Sequence, residues 1–244
     1  MITLQHTGTP AVVREPAVWA VAQVLLLGVV SATTGLGPLG WAAGLAYGFA
    51  TWAFLGYGTQ RHRTRSLGPA DRVTLARGLM VGAVTALVAD RAGQDVPVAL
   101  VVTLAAVALS LDWVDGQVAR RTGTSTALGA RFDMEVDAFL ILVLSAYVAL
   151  HLGPWVLAIG LMRYVFVAAS WRLRWMNAPL PASYARKVVA AVQGVLLVVA
   201  ASGLLPFAGV LVGLALASLV WSFGRDVLWL WTNSAAAVGE SRHV

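Results

Sequence analysis

The chain has 244 residues, 59% of them hydrophobic and only 11% charged, with a formal net charge of +6. A soluble domain carries roughly a quarter charged residues, so this composition excludes an ordinary soluble globule and indicates a polytopic, all-α membrane protein. The chain has no cysteine, which removes disulfides, thiolate metal sites and thiol nucleophiles from consideration.

Eight apolar runs follow one another at 17–35, 39–57, 71–89, 96–114, 133–151, 154–172, 187–204 and 206–230. Each is near the ~20 residues that cross a hydrocarbon core of ~30 Å. The first follows Arg14 and resembles a secretory signal, but a second run comes almost at once, so it reads as an uncleaved span. Breaks rich in Gly and Pro separate neighbours, as in TGLGPLG at 34–40, HLGP at 151–154 and SGLLP at 202–206.

Basic residues alternate with the spans. Arg61, Arg63, Arg65 and Arg72 precede or open the third, and Arg120, Arg121 and Arg131 lie between the fourth and fifth. Arg172, Arg174, Arg186 and Lys187 lie between the sixth and seventh, Arg225 closes the eighth, and the alternate loops carry Arg91 alone. With eight spans these groups fall on one side, which the positive-inside rule makes cytoplasmic, together with both termini, in the cell membrane. The net positive charge is thereby explained by orientation, and no nucleic-acid partner is expected. Trp155, Trp171, Trp175, Trp221, Trp229 and Trp231 suit interfacial anchoring. His6, His62, His151 and His243 are scattered singly and read as interfacial residues rather than ligands.

Between the fourth and fifth runs, residues 111–139 read LDWVDGQVARRTGTSTALGARFDMEVDAF and hold four of the eight aspartates. If the fourth span continues as a helix, Asp112, Asp115 and Ala119 share a face at i, i+3 and i+7. If the fifth begins near Gly129, then Gly129, Asp133 and Asp137 share one at i, i+4 and i+8. Two antiparallel helices can so bring four carboxylates together. Like charges at close range raise one another's pKa, and a divalent cation resolves the conflict. Oxygen donors without Cys or nearby His select Mg²⁺, Mn²⁺ or Ca²⁺, and four acids can hold two ions, as in phosphoryl displacement. The competing structural account has Asp112 and Asp115 ending one helix and Asp133 in the first turn of the next, where an acid favours the dipole. That account does not reach Asp137, deeper in an apolar helix where an ionisable group is expensive. Glu135 lies beside the set but points away from the Asp133–Asp137 face.

The string fits D-x2-D-G-x2-A-R-x8-G-x3-D-x3-D without a gap, through Asp112, Asp115, Gly116, Ala119, Arg120, Gly129, Asp133 and Asp137. In this it resembles the CDP-alcohol phosphotransferases (CDP-alcohol phosphatidyltransferases), integral membrane enzymes of phospholipid synthesis. The resemblance covers roughly 67–231 and implies a six-helix catalytic core there. Residues 1–66 would then form an N-terminal segment with two additional spans, and 232–244 a cytoplasmic tail.

The resemblance also implies roles. Asp112, Asp115 and Asp133 would be the principal ligands of Mg²⁺ or Mn²⁺, two ions in all. Asp137 would be the catalytic base and a further metal contact. Gly116 and Arg120 would meet the CDP moiety, within a nucleotide site that includes Ala119 and Gly129, and Thr126 stands where the family often has a nucleotide-contacting hydroxyl. PADRVTLAR at 69–77 resembles the family's P-[ND]-x-x-T element, which puts Asp71 and Thr74 on cytidine or its ribose; alone, Asp71 reads equally as a helix N-cap.

The implied reaction moves a phosphatidyl-type group from a CDP-linked lipid donor, CDP-diacylglycerol being the leading choice, to a polar alcohol acceptor with release of CMP. Arg163, about midway along the sixth run, with Arg172, Arg174, Arg186 and Lys187 nearer the cytoplasm, offers a partner for a phosphate on the acceptor. Glycerol 3-phosphate or an inositol phosphate would suit it. Arg172, Arg174, Arg186 and Lys187 also read as topology signals. Homodimers are common in the family, though no residue here demonstrates one. A different class of protein, a divalent-cation or proton-coupled transporter using the same aspartates, would place its site near the midplane of repeated halves, and no repeat is evident.

Overall fold

A computed structural model describes residues 11–62, 69–90, 96–122, 127–181 and 183–240, with the side chains of 11–16, 59–62, 69–70, 115, 118–122, 127 and 234–240 outside the description. Among the described residues there are helices and no strands. Eight long helices correspond one to one with the eight predicted runs: α1 (Ala11–Thr34), α2 (Pro38–His62), α3 (Pro69–Asp90), α4 (Val98–Thr122), α5 (Ala127–Leu152), α6 (Leu157–Arg172), α7 (Tyr184–Ala201) and α8 (Ala208–Glu240). Six of them, α1, α3, α5, α6 (with the short 3₁₀ turn before it), α7 and α8, are long and apolar enough to cross a membrane. In α4 the apolar part is the shorter Val98–Val114. The glycines, tryptophans and tyrosines of α2 dilute its hydropathy.

Local chemistry sets the helix ends. Pro38 and Pro69 open α2 and α3, where a missing N–H costs no internal bond. Gly35 (φ 66°) and Gly203 (φ 67°) follow the ends of α1 and α7 in the left-handed conformation that a Cβ disfavours.

The chain divides into two compact units, 1–137 and 138–244. In the first, α3 is central and packs against α1, α2 and α4. Its Val81, Ala83, Val84, Ala86 and Leu87 are fully buried. Small residues let the helices approach, as is usual where lipid gives no hydrophobic drive between them. At Gly44 of α2, an added Cβ would lie 2.7 Å from a Leu27 methyl of α1 and 3.2 Å from Ala86 of α3. The carboxylate of Asp90, at the last residue of α3, accepts from the Gly40 N–H at 3.2 Å. An acid is unfavourable at its own helix C-terminus but favourable at the N-terminus of α2, so Asp90 ties the end of one helix to the start of another.

In the second unit α7 packs on α8 around Leu197, Val212 and Leu230, all fully buried. Gln193 donates from Nε2 to the Ala215 carbonyl at 3.4 Å, which satisfies a buried amide between these helices. Gly160 of α6 lies so close to α5 that a Cβ would meet the Leu142 Cα at 2.5 Å. Phe166 of α6 and Phe223 of α8 meet edge to face at 5.5 Å.

Candidate active site

The acidic segment lies on two continuous helices, and this removes the structural account of its aspartates. Helix α4 runs on to Thr122, so Asp112 and Asp115 do not end it. Helix α5 starts at Ala127, with no acid in its first turn, so Asp133 gains little from the dipole. Asp133 and Asp137 instead stand one turn apart on one face, and Asp112 meets them from α4. Each of the three offers a carboxylate oxygen, and these atoms lie within 4.8 Å of one another. Glu135 is not part of this group.

Among them lies Arg77 of α3, whose side chain is fully buried. Its Nη1 donates to Asp112 Oδ1 and its Nη2 to Asp133 Oδ1. Nη2 also lies 3.2 Å from the Asp133 carbonyl oxygen and 3.0 Å from Asp137 Oδ1. One guanidinium thus draws together acids from two further helices. Three carboxylates share this guanidinium, an arrangement that suits an added cation. The three aspartate side chains stay 41%, 34% and 40% exposed, so the cluster is open to a ligand on the side away from Arg77.

The donor set fits a hard divalent ion: three carboxylate oxygens at close range, no thiolate in the chain, and no imidazole in the group. Asp115 belongs to the same helix as Asp112, but its side chain lies outside the described residues, as do those of Ala119 and Arg120 and the whole of Thr126. Gly116 stands on α4, one turn after Asp112. Gly129 lies in the first turn of α5, four residues before Asp133.

Asp71 and Thr74 are both buried, at 5% and 4% exposure. Asp71 is the third residue of α3 and lies in its first turn rather than at the cap. Asp71, Thr74 and Arg77 follow at successive i, i+3 steps, so α3 contributes adjoining polar positions to the end of the unit that holds the acids.

The basic residues predicted for the acceptor all lie in the second unit. Arg163 is half-buried on α6, while Arg172, Arg174 and Lys187 are exposed. Arg186 is engaged within that unit: Nη1 pairs with Asp226 Oδ2 at 3.2 Å, and Nη2 donates to the Pro181 carbonyl. Arg225 also approaches Asp226, at 3.5 Å.

Sequence reasoning missed Arg77 and Asp226. Arg77 carried a usable signal, an arginine two turns inside an apolar run, which is as expensive there as Arg163 is in α6. Asp226 showed nothing beyond its neighbour Arg225.

No curated protein and no solved structure matches the chain. The family model for CDP-alcohol phosphatidyltransferase matches residues 69–221, well over half of the sequence and all of α3 to α7. The chain belongs to the CDP-alcohol phosphatidyltransferase family.

Proposed function

We propose that the protein transfers a phosphatidyl group from CDP-diacylglycerol to the hydroxyl of a phosphorylated acceptor, glycerol 3-phosphate or an inositol phosphate, and releases CMP. The observation that carries this reading is the meeting of Asp112, Asp133 and Asp137 around buried Arg77 in a chain of this family. Residues 67–231 form the catalytic core, 1–66 add two spans, and 232–244 form a tail; the active site and both termini lie on the cytoplasmic side of the cell membrane.

Asp112, Asp115, Asp133 and Asp137 would hold two Mg²⁺ or Mn²⁺ ions. When bound, such ions supply charge neutralisation at the diphosphate and at the leaving CMP. Asp71, Thr74, Gly116, Ala119, Arg120, Thr126 and Gly129 form the nucleotide site, in which Arg120 pairs with phosphate oxygens and Gly116 permits close backbone approach. Asp137 takes the proton from the acceptor hydroxyl. The new bond joins that oxygen to the β-phosphorus, and the bond from this phosphorus to the CMP oxygen breaks. Arg77 orients the carboxylates of Asp112, Asp133 and Asp137 from below. Arg163 is the leading contact for the acceptor's phosphate, with Arg172, Arg174 and Lys187 supplying further positive charge. Arg186 contributes only on leaving Asp226. Membership of a transferase family leaves the transporter reading without an observation in its favour.

The test is CMP release by the purified protein with CDP-diacylglycerol, Mg²⁺ or Mn²⁺, and one acceptor at a time: glycerol 3-phosphate, inositol 1-phosphate, inositol, serine or phosphatidylglycerol. Release that needs metal and a phosphorylated acceptor, and is lost in Asp137→Asn, is the expected result. Release with inositol or serine alone would overturn the acceptor assignment. No release with any acceptor would overturn the reaction.

A further inference from the structure

The start of α5 is held on two neighbouring faces, and only one of them carries the acids. Gly129, Asp133 and Asp137 lie on one face; Leu128, Phe132 and Val136, each one residue earlier, lie on the face beside it. These three apolar residues are buried, whereas the side chains of Asp133 and Asp137 are part-exposed.

Helix α2, which lies outside the segment that the family model matches, packs on the apolar face. The Phe54 and Phe132 rings meet at 5.9 Å between centroids, tilted by 32°. One turn on, a Cβ at Gly58 would lie 2.3 Å from a Leu128 methyl, so glycine is what lets Leu128 lie against the α2 backbone. Phe54 to Gly58 runs forward along α2 while Phe132 to Leu128 runs back along α5, four residues each. The two contacts therefore form one antiparallel seam. Helix α3 closes it: a Cβ at Gly78 would lie 3.6 Å from Tyr47 Oη of α2 and 3.9 Å from Phe132 Cζ.

Adjacent residues thus fix α5 on α3 in two ways. Arg77 binds Asp133, and Gly78, the next residue on α3, faces Phe132, the residue before Asp133. The two attachments differ in stiffness. A part-exposed carboxylate gains little from an ion pair and can turn about its own side-chain bonds. A ring packed at interior density cannot move without opening a void. A cation entering the cluster would compete with Arg77 for the carboxylates, and the apolar seam would still keep their backbone in place.

We propose that Phe54 and Gly58 of α2 position the acid-bearing turns of α5, so that a helix outside the family segment sets how tightly the aspartates hold a divalent cation. Phe54 is a positioning residue that acts through Phe132 on Asp133. The inference rests on the metal site proposed above.

The test uses the full chain in nanodiscs and reads Mn²⁺ binding from the loss of the free ion's paramagnetic resonance signal. Phe54→Ala should weaken binding roughly tenfold, the lower end of the cost of losing a group that orients a metal ligand. Phe54→Leu, which refills much of the space, should recover most of the affinity. Should Phe54→Ala not fold, Gly58→Ala, which presses on Leu128 from the other end of the seam, should weaken binding instead. Gly44→Leu strains α2 against Leu27 and Ala86, roughly 15 Å along the helix from Phe54. It should lower the unfolding midpoint and leave Mn²⁺ affinity unchanged. Wild-type affinity in Phe54→Ala, or an equal loss in Gly44→Leu, overturns the proposal.

A second reading needs no metal. The chain has no cysteine, so Ser110→Cys on α4 and Met134→Cys on α5, both exposed, can carry a pair of spin labels. In metal-free protein the spread of distances between them should widen in Phe54→Ala and stay as in the wild type in Gly44→Leu. A wild-type chain that binds no Mn²⁺ but shows this widening sinks the metal site and keeps the seam. Mn²⁺ binding with neither widening nor lost affinity in Phe54→Ala sinks the seam alone.

Discussion

Among the described residues, two arginine–aspartate assemblies stand out, and they differ in how many acids share each arginine. In the first unit, fully buried Arg77 is shared by Asp112, Asp133 and Asp137. In the second, a single acid, Asp226, is approached by Arg186 and Arg225. Arg225 spreads its remaining capacity over Ser183 Oγ at 3.3 Å and the Trp221 ring at 5.0 Å. The second assembly is saturated and holds α7 against α8. In the first, three carboxylates share one buried guanidinium, an arrangement that suits the proposed metal site. The number of acids gathered on one guanidinium, rather than the presence of an ion pair, distinguishes the proposed reactive site from the helix-joining pair.

The comparison is open to attack from both sides. The largest effect should come from the acid-rich assembly: Asp133→Asn should lower CMP release on the order of 10³-fold, the scale of several kcal/mol of lost charge stabilisation. Asp137→Asn should lower it on the order of 10²- to 10⁴-fold, the range for loss of a general base. Normal turnover in either variant would end the functional reading of the cluster. Next in size, Arg77→Gln should cost the metal-free protein about 1.5–3 kcal/mol, because it leaves three part-exposed acids facing one another without the guanidinium they share. Thermal unfolding in EDTA reads this, and added Mn²⁺ should restore part of it. An unchanged midpoint would mean that Arg77 does not hold the cluster. Gly44→Leu should cost about 1–3 kcal/mol by overpacking against Leu27 and Ala86, as read by the same unfolding. Smallest of all in turnover, Asp226→Asn should change CMP release severalfold at most, although loss of a buried charged hydrogen bond should cost stability about 1–3 kcal/mol; a collapse of activity would erase the contrast between the two assemblies.

The difference in legibility follows the same physics. The aspartates were readable because helical periodicity turns their spacing into a shared face, and an acid in an apolar run demands a reason. The eight helices were readable from hydropathy, although their limits shifted: α5 begins at Ala127 rather than 133, and α8 extends to Glu240. Arg77, two turns inside an apolar run, asked for a partner, but nothing local says that its guanidinium meets residues 35 and 56 positions away. Phe54 was hidden for a related reason: its significance depends on Phe132 and Gly78 from two other helices. Properties of one helix are written in its own sequence, whereas a meeting of three depends on packing that periodicity does not encode.

The buried guanidinium of Arg77 bears on how the protein comes into being. Small zinc domains stay unfolded until their metal arrives, because only the ion holds their ligands together. Here a side chain of the same polypeptide already performs that service. On the proposed metal-dependent reaction, insertion and maturation would run to completion in a metal-starved cell and leave a stock of finished but idle apoprotein. Metal supply would then act as a throttle on output, with no effect on how many copies the membrane holds.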